Sequence, residues 1–91
     1  MEKHLIERIA AATDLQAEPI PGLPLVEIAG DRRVLIEQHC GVTQYGGCRI
    51  CVKVKFGAVV IVGTGLELTR MTGKQLIVTG KIDGVQLERG G

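Results

Sequence analysis

Serine and tryptophan are missing from this chain, and its aromatic residues are two, Tyr45 and Phe56. Without serine there is no serine nucleophile, and two rings give almost no platform for stacking on bases or sugars. Packing therefore falls to Val, Ile and Leu, which favour strands. Charge of one sign is not concentrated anywhere: 11 basic and 10 acidic residues are scattered to a net +1. A nucleic-acid binder would gather its Lys and Arg on one face, so that class is set aside. The stretch from Met1 to Ala12 is interrupted by Glu2 and Glu7. Neither a signal-peptide apolar region nor a bilayer span is expected there. Cysteines number three, Cys40, Cys48 and Cys51. An odd set cannot all pair within one chain and suits a reducing compartment, so free thiols and a cytoplasmic location are expected.

What is present is a 91-residue chain, 45% hydrophobic. That length holds one domain, whose folding buries roughly 60–65% of the unfolded chain's surface. Residues 1–18 contain Leu5, Ile6, Ile9 and Ala12 at helical spacing, with Glu2, Lys3, Glu7 and Arg8 elsewhere on the wheel. They predict a short amphipathic helix whose apolar stripe covers an open edge or face of a sheet or docks on a partner. Pro19, Pro21 and Pro24 then make residues 19–24 an extended connector.

Residues 25–89 read as a single β domain. Leu25–Ala29, Arg33–Gln38 and Val42–Tyr45 are the first strands. Cys48 to Lys55 follows with the clearest alternation in the chain, Ile50, Val52 and Val54 pointing one way and Arg49, Cys51 and Lys53 the other. Ala58–Val62 is aliphatic throughout and is expected to be buried on both faces. Leu66–Thr69, Gln75–Thr79 and Val85–Glu88 complete about eight short strands, mostly antiparallel because the turns between them are too short for crossovers. A small meander sandwich or roll is predicted. The even spacing of Gly30, Gly47, Gly63 and Gly80, 17, 16 and 17 residues apart, leaves a solenoid of stacked hairpins as the alternative.

Several residues invite a chemical reading. His39, Cys40, Cys48 and Cys51 supply four soft ligands within thirteen residues, so a small metal-binding or thiol-switch domain using Cys40, Cys48 and Cys51 is the alternative function. Against it, Cys48 and Cys51 lie along an alternating strand, where residues three apart point to opposite faces. His39 is placed at a turn beside Gly41, and as a sequence neighbour makes a poor base for Cys40. Gly63-Thr64-Gly65 lacks the third glycine and following helix of a dinucleotide fingerprint. Thr72-Gly73-Lys74 lacks the first glycine and the Ser or Thr of a phosphate loop. Both are read as turns. Asp31 and Asp83 are also assigned to turns, beside Gly30 and Gly84, and Glu27, Glu37, Glu67 and Glu88 to solvent-facing strand positions. Hence no catalytic residue, metal site, cofactor or small-molecule substrate is expected.

The order of these segments resembles the YabP/YqfC family of sporulation proteins, with the closer likeness to its YqfC branch. Leu23-Pro24 precedes the first strand, and Val34 to Gly41 resembles that branch's "IENH-x-G" segment. Tyr45 is followed by Arg49-Ile50 and by Gly57 with the aliphatic strand to Gly63. Leu66-Glu67-Leu68, Leu76 to Ile82 and Val85-Gln86-Leu87 keep the same register. Cys48 and Cys51 depart from the pattern. The resemblance implies a non-enzymatic protein made in the mother cell during spore formation, acting by protein–protein interaction or assembly. It further implies a sporulation membrane protein as partner, which would hold the chain at the forespore membrane. Self-association through exposed strand edges is a second mode, since such edges are ready pairing surfaces.

Overall fold

Aliphatic alternation is realised as six strands: β1 (Leu25–Ala29), β2 (Arg33–Glu37), β3 (Val42–Tyr45), β4 (Arg49–Val54), β5 (Gly57–Met71) and β6 (Gln75–Arg89). The computed structural model describes residues 22–90. The expected N-terminal helix, and the connector up to Pro21, lie outside these residues. All six strands join one antiparallel sheet in the order β1-β2-β6-β5-β4-β3. Four of the five pairings link consecutive strands, as a meander requires. The fifth, β2 with β6, is long-range.

Two strands of 15 residues, β5 and β6, form the backbone of the sheet. Each replaces two of the expected strands, so the count is six and not eight. The breaks expected at Gly63-Thr64-Gly65 and between Thr79 and Val85 are bends within continuous strands. Three register shifts carry the hairpin through them, at Val62/Gly63, Thr64/Glu67 and Leu68/Arg70. Bulges of this kind sharpen twist and bend the strand without ending it. Glycine makes the bend sterically open. A Cβ on Gly63 would overlap the Lys81 carbonyl oxygen, and one on Gly80, whose φ is +135°, would stand 2.6 Å from the Gly65 carbonyl oxygen.

The bend divides the sheet. β2 pairs with Gln75–Thr79 of β6, beyond the bend, whereas β4 pairs with Gly57–Val62 of β5, before it. One apolar cluster draws on both parts: Val34, Ile36, Leu76 and Val78 from the first, and Ile50, Val52, Val54, Val59 and Ile61 from the second. The sheet thus curls over its own inner face as a roll. Each fully buried aliphatic side chain stabilises it by roughly 1.5–3 kcal/mol relative to an exposed one. Gly30 and Gly47 occupy hairpin turns, while Gly63 and Gly80 lie in the bend. Even spacing therefore marks no repeated unit, and the solenoid alternative is set aside.

Ala58–Val62 behaves as expected in its centre, Val59, Val60 and Ile61 being buried on alternating faces. Cys51 and Val60 are register partners on the face away from the apolar cluster and are buried as well.

Gly63→Ala and Gly80→Ala should each lower stability by roughly 3 kcal/mol or more, because backbone must move to admit the methyl group. Gly73, with open space where a Cβ would stand, is the control: Gly73→Ala should change stability by less than about 0.5 kcal/mol. Urea unfolding followed by circular dichroism measures all three.

Candidate functional site

A strand edge exposes unpaired N–H and C=O groups, and proteins ordinarily blunt such edges. The edge of β5 beyond the bend is partly covered. Leu66 N–H donates to the Gly47 carbonyl at 2.8 Å, and Leu68 N–H donates to the Tyr45 hydroxyl at 3.3 Å. At the other side of the sheet, β3 is four residues long and irregular between Val42 and Gln44. Besides this short β3 edge, two stretches lack a strand partner on one side among the described residues: β1, and β6 after Ile82.

Strand alternation shows which groups are free. Gln38 N–H donates to Lys74 and Gly80 N–H to Arg32, so alternate residues of β2 face β6. The intervening ones face β1, and the peptide groups of Val26 and Ile28 then point away from the sheet. On β6, Ile82 N–H donates to the Asp31 carbonyl at 2.7 Å and Gly90 N–H to the Phe56 carbonyl at 2.9 Å. Between them lies Asp83, the extra residue where Val62 pairs with Gly84 and Gly63 with Ile82. This bulge reverses the alternation, so the peptide groups of Val85, Leu87 and Arg89 point outward. Asp83 is therefore in the middle of a strand and not in a turn, a correction to its sequence assignment. Both edges carry exposed apolar side chains: Leu23, Leu25 and Ile28 at β1, the last 52% exposed, and Leu87 on β6, 61% exposed.

The residues singled out for metal or thiol chemistry are dispersed by the fold. Cys40 is exposed in the β2–β3 connection, Cys48 is exposed in the β3–β4 turn, and Cys51 is buried within β4. The Cys51 thiol donates to Gln44 Oε1 at 3.3 Å, and the same oxygen accepts from Arg49 Nε. Among the described residues no group of three or more His, Cys, Asp or Glu is placed to hold a metal ion.

His39 sits at the turn beside Gly41, as expected. Its Nδ1 accepts from Gly41 N–H at 3.0 Å, which leaves Nε2 as the donor to the Thr72 carbonyl at 2.8 Å. This ring ties the β2–β3 connection to the tip of the β5–β6 hairpin. Immediately before it, Gln38 holds φ at +64°, a left-handed conformation that suits Asn or Gly better than Gln.

Thr72-Gly73-Lys74 is the hairpin tip. Thr72 Oγ1 accepts from the N–H groups of Lys74 and Gln75, so the triplet is occupied in holding a turn. Gly63-Thr64-Gly65, also expected as a turn, is part of the bend in β5. Glu27, Glu67 and Glu88 are exposed, whereas Glu37 is half-buried and accepts from Gln75 Nε2 at 3.2 Å, its register partner on β6. An open depression of about 520 Å³ beside the β4–β5 turn has Lys53, Lys55, Glu88 and Arg89 as its titratable lining. Among the described residues neither a histidine nor a thiol lines it.

Set against known proteins, residues 24–91 match the model of the YabP family. The chain belongs to the YabP family. The YabP match starts one residue before β1 and covers all six strands, so the likeness resides in the curled sheet. Membership suggests a role connected with sporulation. No curated protein and no solved structure matches the chain. The free edges of β1 and β6 were not individually legible in the sequence. The signal that locates the β6 edge is the Asp83-Gly84 bulge, which looks like a turn until β5 is known to pair on both sides of it.

Two outcomes follow for this YabP-family chain. Under native conditions a maleimide should label Cys40 and Cys48 rapidly and Cys51 only after unfolding, as counted by mass spectrometry. Gln38→Asn should raise stability by up to about 1 kcal/mol by easing the left-handed conformation, measured by urea unfolding.

Proposed function

We propose that this chain is a non-enzymatic sporulation protein of the YqfC-like branch that acts in the mother cell by adding its sheet to a protein partner. The observation that carries this reading is the free edge of β1. Outward peptide groups at Val26 and Ile28 are flanked by exposed Leu23, Leu25 and Ile28, so an extended segment could pair with the strand and cover apolar surface on both faces. Family membership supports the sporulation context. A membrane protein of the developing spore is the preferred partner. It would place the chain peripherally at the forespore membrane, since no helix among the described residues is long and apolar enough to cross one. Supporting a non-enzymatic role, the three thiols lie in different elements, the β2–β3 connection, the β3–β4 turn and β4, and His39, beside Cys40, uses both ring nitrogens in holding the fold.

Complementation in an endospore-forming host tests both halves of the proposal. Deleting the gene should sharply reduce heat-resistant spores, and the wild-type copy should restore them. A copy carrying Leu25→Lys and Ile28→Lys, both on exposed side chains, should fold with an unchanged thermal midpoint yet fail to restore them. Normal spore counts in the deletion strain would remove the sporulation role, and full rescue by the double variant would remove the β1 edge.

A further inference from the structure

The second free edge, on β6, is suited to a different occupant. We propose that Asp83–Arg89 pairs antiparallel with the same segment of a second copy, joining two sheets across a two-fold axis at Gln86. This rests on the reading that the protein works through its sheet edges, and it names the partner of one of them.

Only three residues of the edge, Val85, Leu87 and Arg89, present outward peptide groups, so a two-fold pairing has few registers to choose from. Centred on Leu87, it sets Val85 against the other copy's Arg89, apolar against charged. Centred on Val85, it sets Leu87 against Asp83. Centred on Gln86, it sets Val85 against Leu87 in both directions and runs each Arg89 alongside the opposite Asp83. Of the three, this register alone sets apolar against apolar and positive against negative, with Gln86 on its own copy and Gly84 beside Glu88. Leu87, 61% exposed on the core-facing side of β6, would then be covered by Val85 and Leu87 of the second copy. β1 lacks this self-complementarity, because pairing its full length with a copy sets Glu27 against Glu27. One edge thus fits a second copy and the other a different chain.

A contact limited to one strand lies below the size of a stable interface, so dimerisation on the order of micromolar or weaker is expected. The register gives a sharp test. In the Gln86-centred arrangement Gln86 faces its own copy as a non-hydrogen-bonded pair, whose Cα atoms stand about 4.5 Å apart, within disulfide reach. Single cysteines are placed at Val85, Gln86, Leu87 and Glu88 of the full chain, with Cys40→Ala and Cys48→Ala removing the exposed thiols. Under mild oxidation the cross-linked dimer should be greatest for Gln86→Cys. Sedimentation equilibrium of the wild-type chain up to about 1 mM should show a reversible monomer–dimer equilibrium. Leu87→Lys should weaken it roughly tenfold or more without lowering the thermal midpoint. A strict monomer, a dimer indifferent to Leu87→Lys, or strongest cross-linking at another position would each overturn the proposal. None of these results bears on the β1 reading, which stands or falls on complementation. Conversely, failed complementation leaves the dimer measurement intact.

Discussion

Close approach of backbone to backbone at Gly63 and Gly80 is the constraint on which this fold depends. A single sheet whose longest hairpin ran straight would leave its aliphatic face open to water along its whole length. Because a side chain at Gly63 or Gly80 would run into the carbonyl of the opposite strand, glycine lets β5 and β6 bend together there, with bulges absorbing the change of register. The two parts of the inner face then meet, and Val34, Ile36, Leu76 and Val78 share a core with Ile50, Val52, Val54, Val59 and Ile61. Among the described residues no second layer packs on the sheet, and curling is how that one sheet makes a core.

The same bend determines which edges stay free. β2 flanks β6 only beyond the bend, and β4 flanks β5 only before it. The remaining half of each long strand is left without a full-length neighbour. On β5 the Gly46–Cys48 turn and Tyr45 partly fill the vacancy. On β6 nothing among the described residues does. Packing and interaction are thus coupled: the device that closes the core also leaves open the edge that a second copy could use. With β1 offering an apolar edge of different character, the chain has two surfaces of one kind, distinguished by charge and self-complementarity. That arrangement suits a protein that assembles.

Much of this was legible in the residues. β1 and β3 fall at the boundaries read from alternation alone, and β2 and β4 end within a residue or two of them. Local periodicity sufficed because each of these strands is bounded by turn residues of its own. His39 beside Gly41 and the Thr72–Lys74 tip were equally local. Reading failed at Gly63-Thr64-Gly65, at Gly80 and at Asp83-Gly84, where turn chemistry and bulge chemistry use the same residue types. A glycine that reverses the chain and one that bends it differ only in what lies across from them.

By itself, then, the sequence determined that the chain is mainly β, that its core is aliphatic, and where strands alternate inward and outward side chains. Those are consequences of composition and of a period of two, which act over a few residues. The tertiary structure alone decided that eight segments would be six strands, that β2 would pair with β6 across the chain, and that β1 and the end of β6 would lack a strand partner among the described residues. Such outcomes depend on which backbones approach each other, and that is settled by long-range hydrogen bonds and steric clearance that no local pattern encodes.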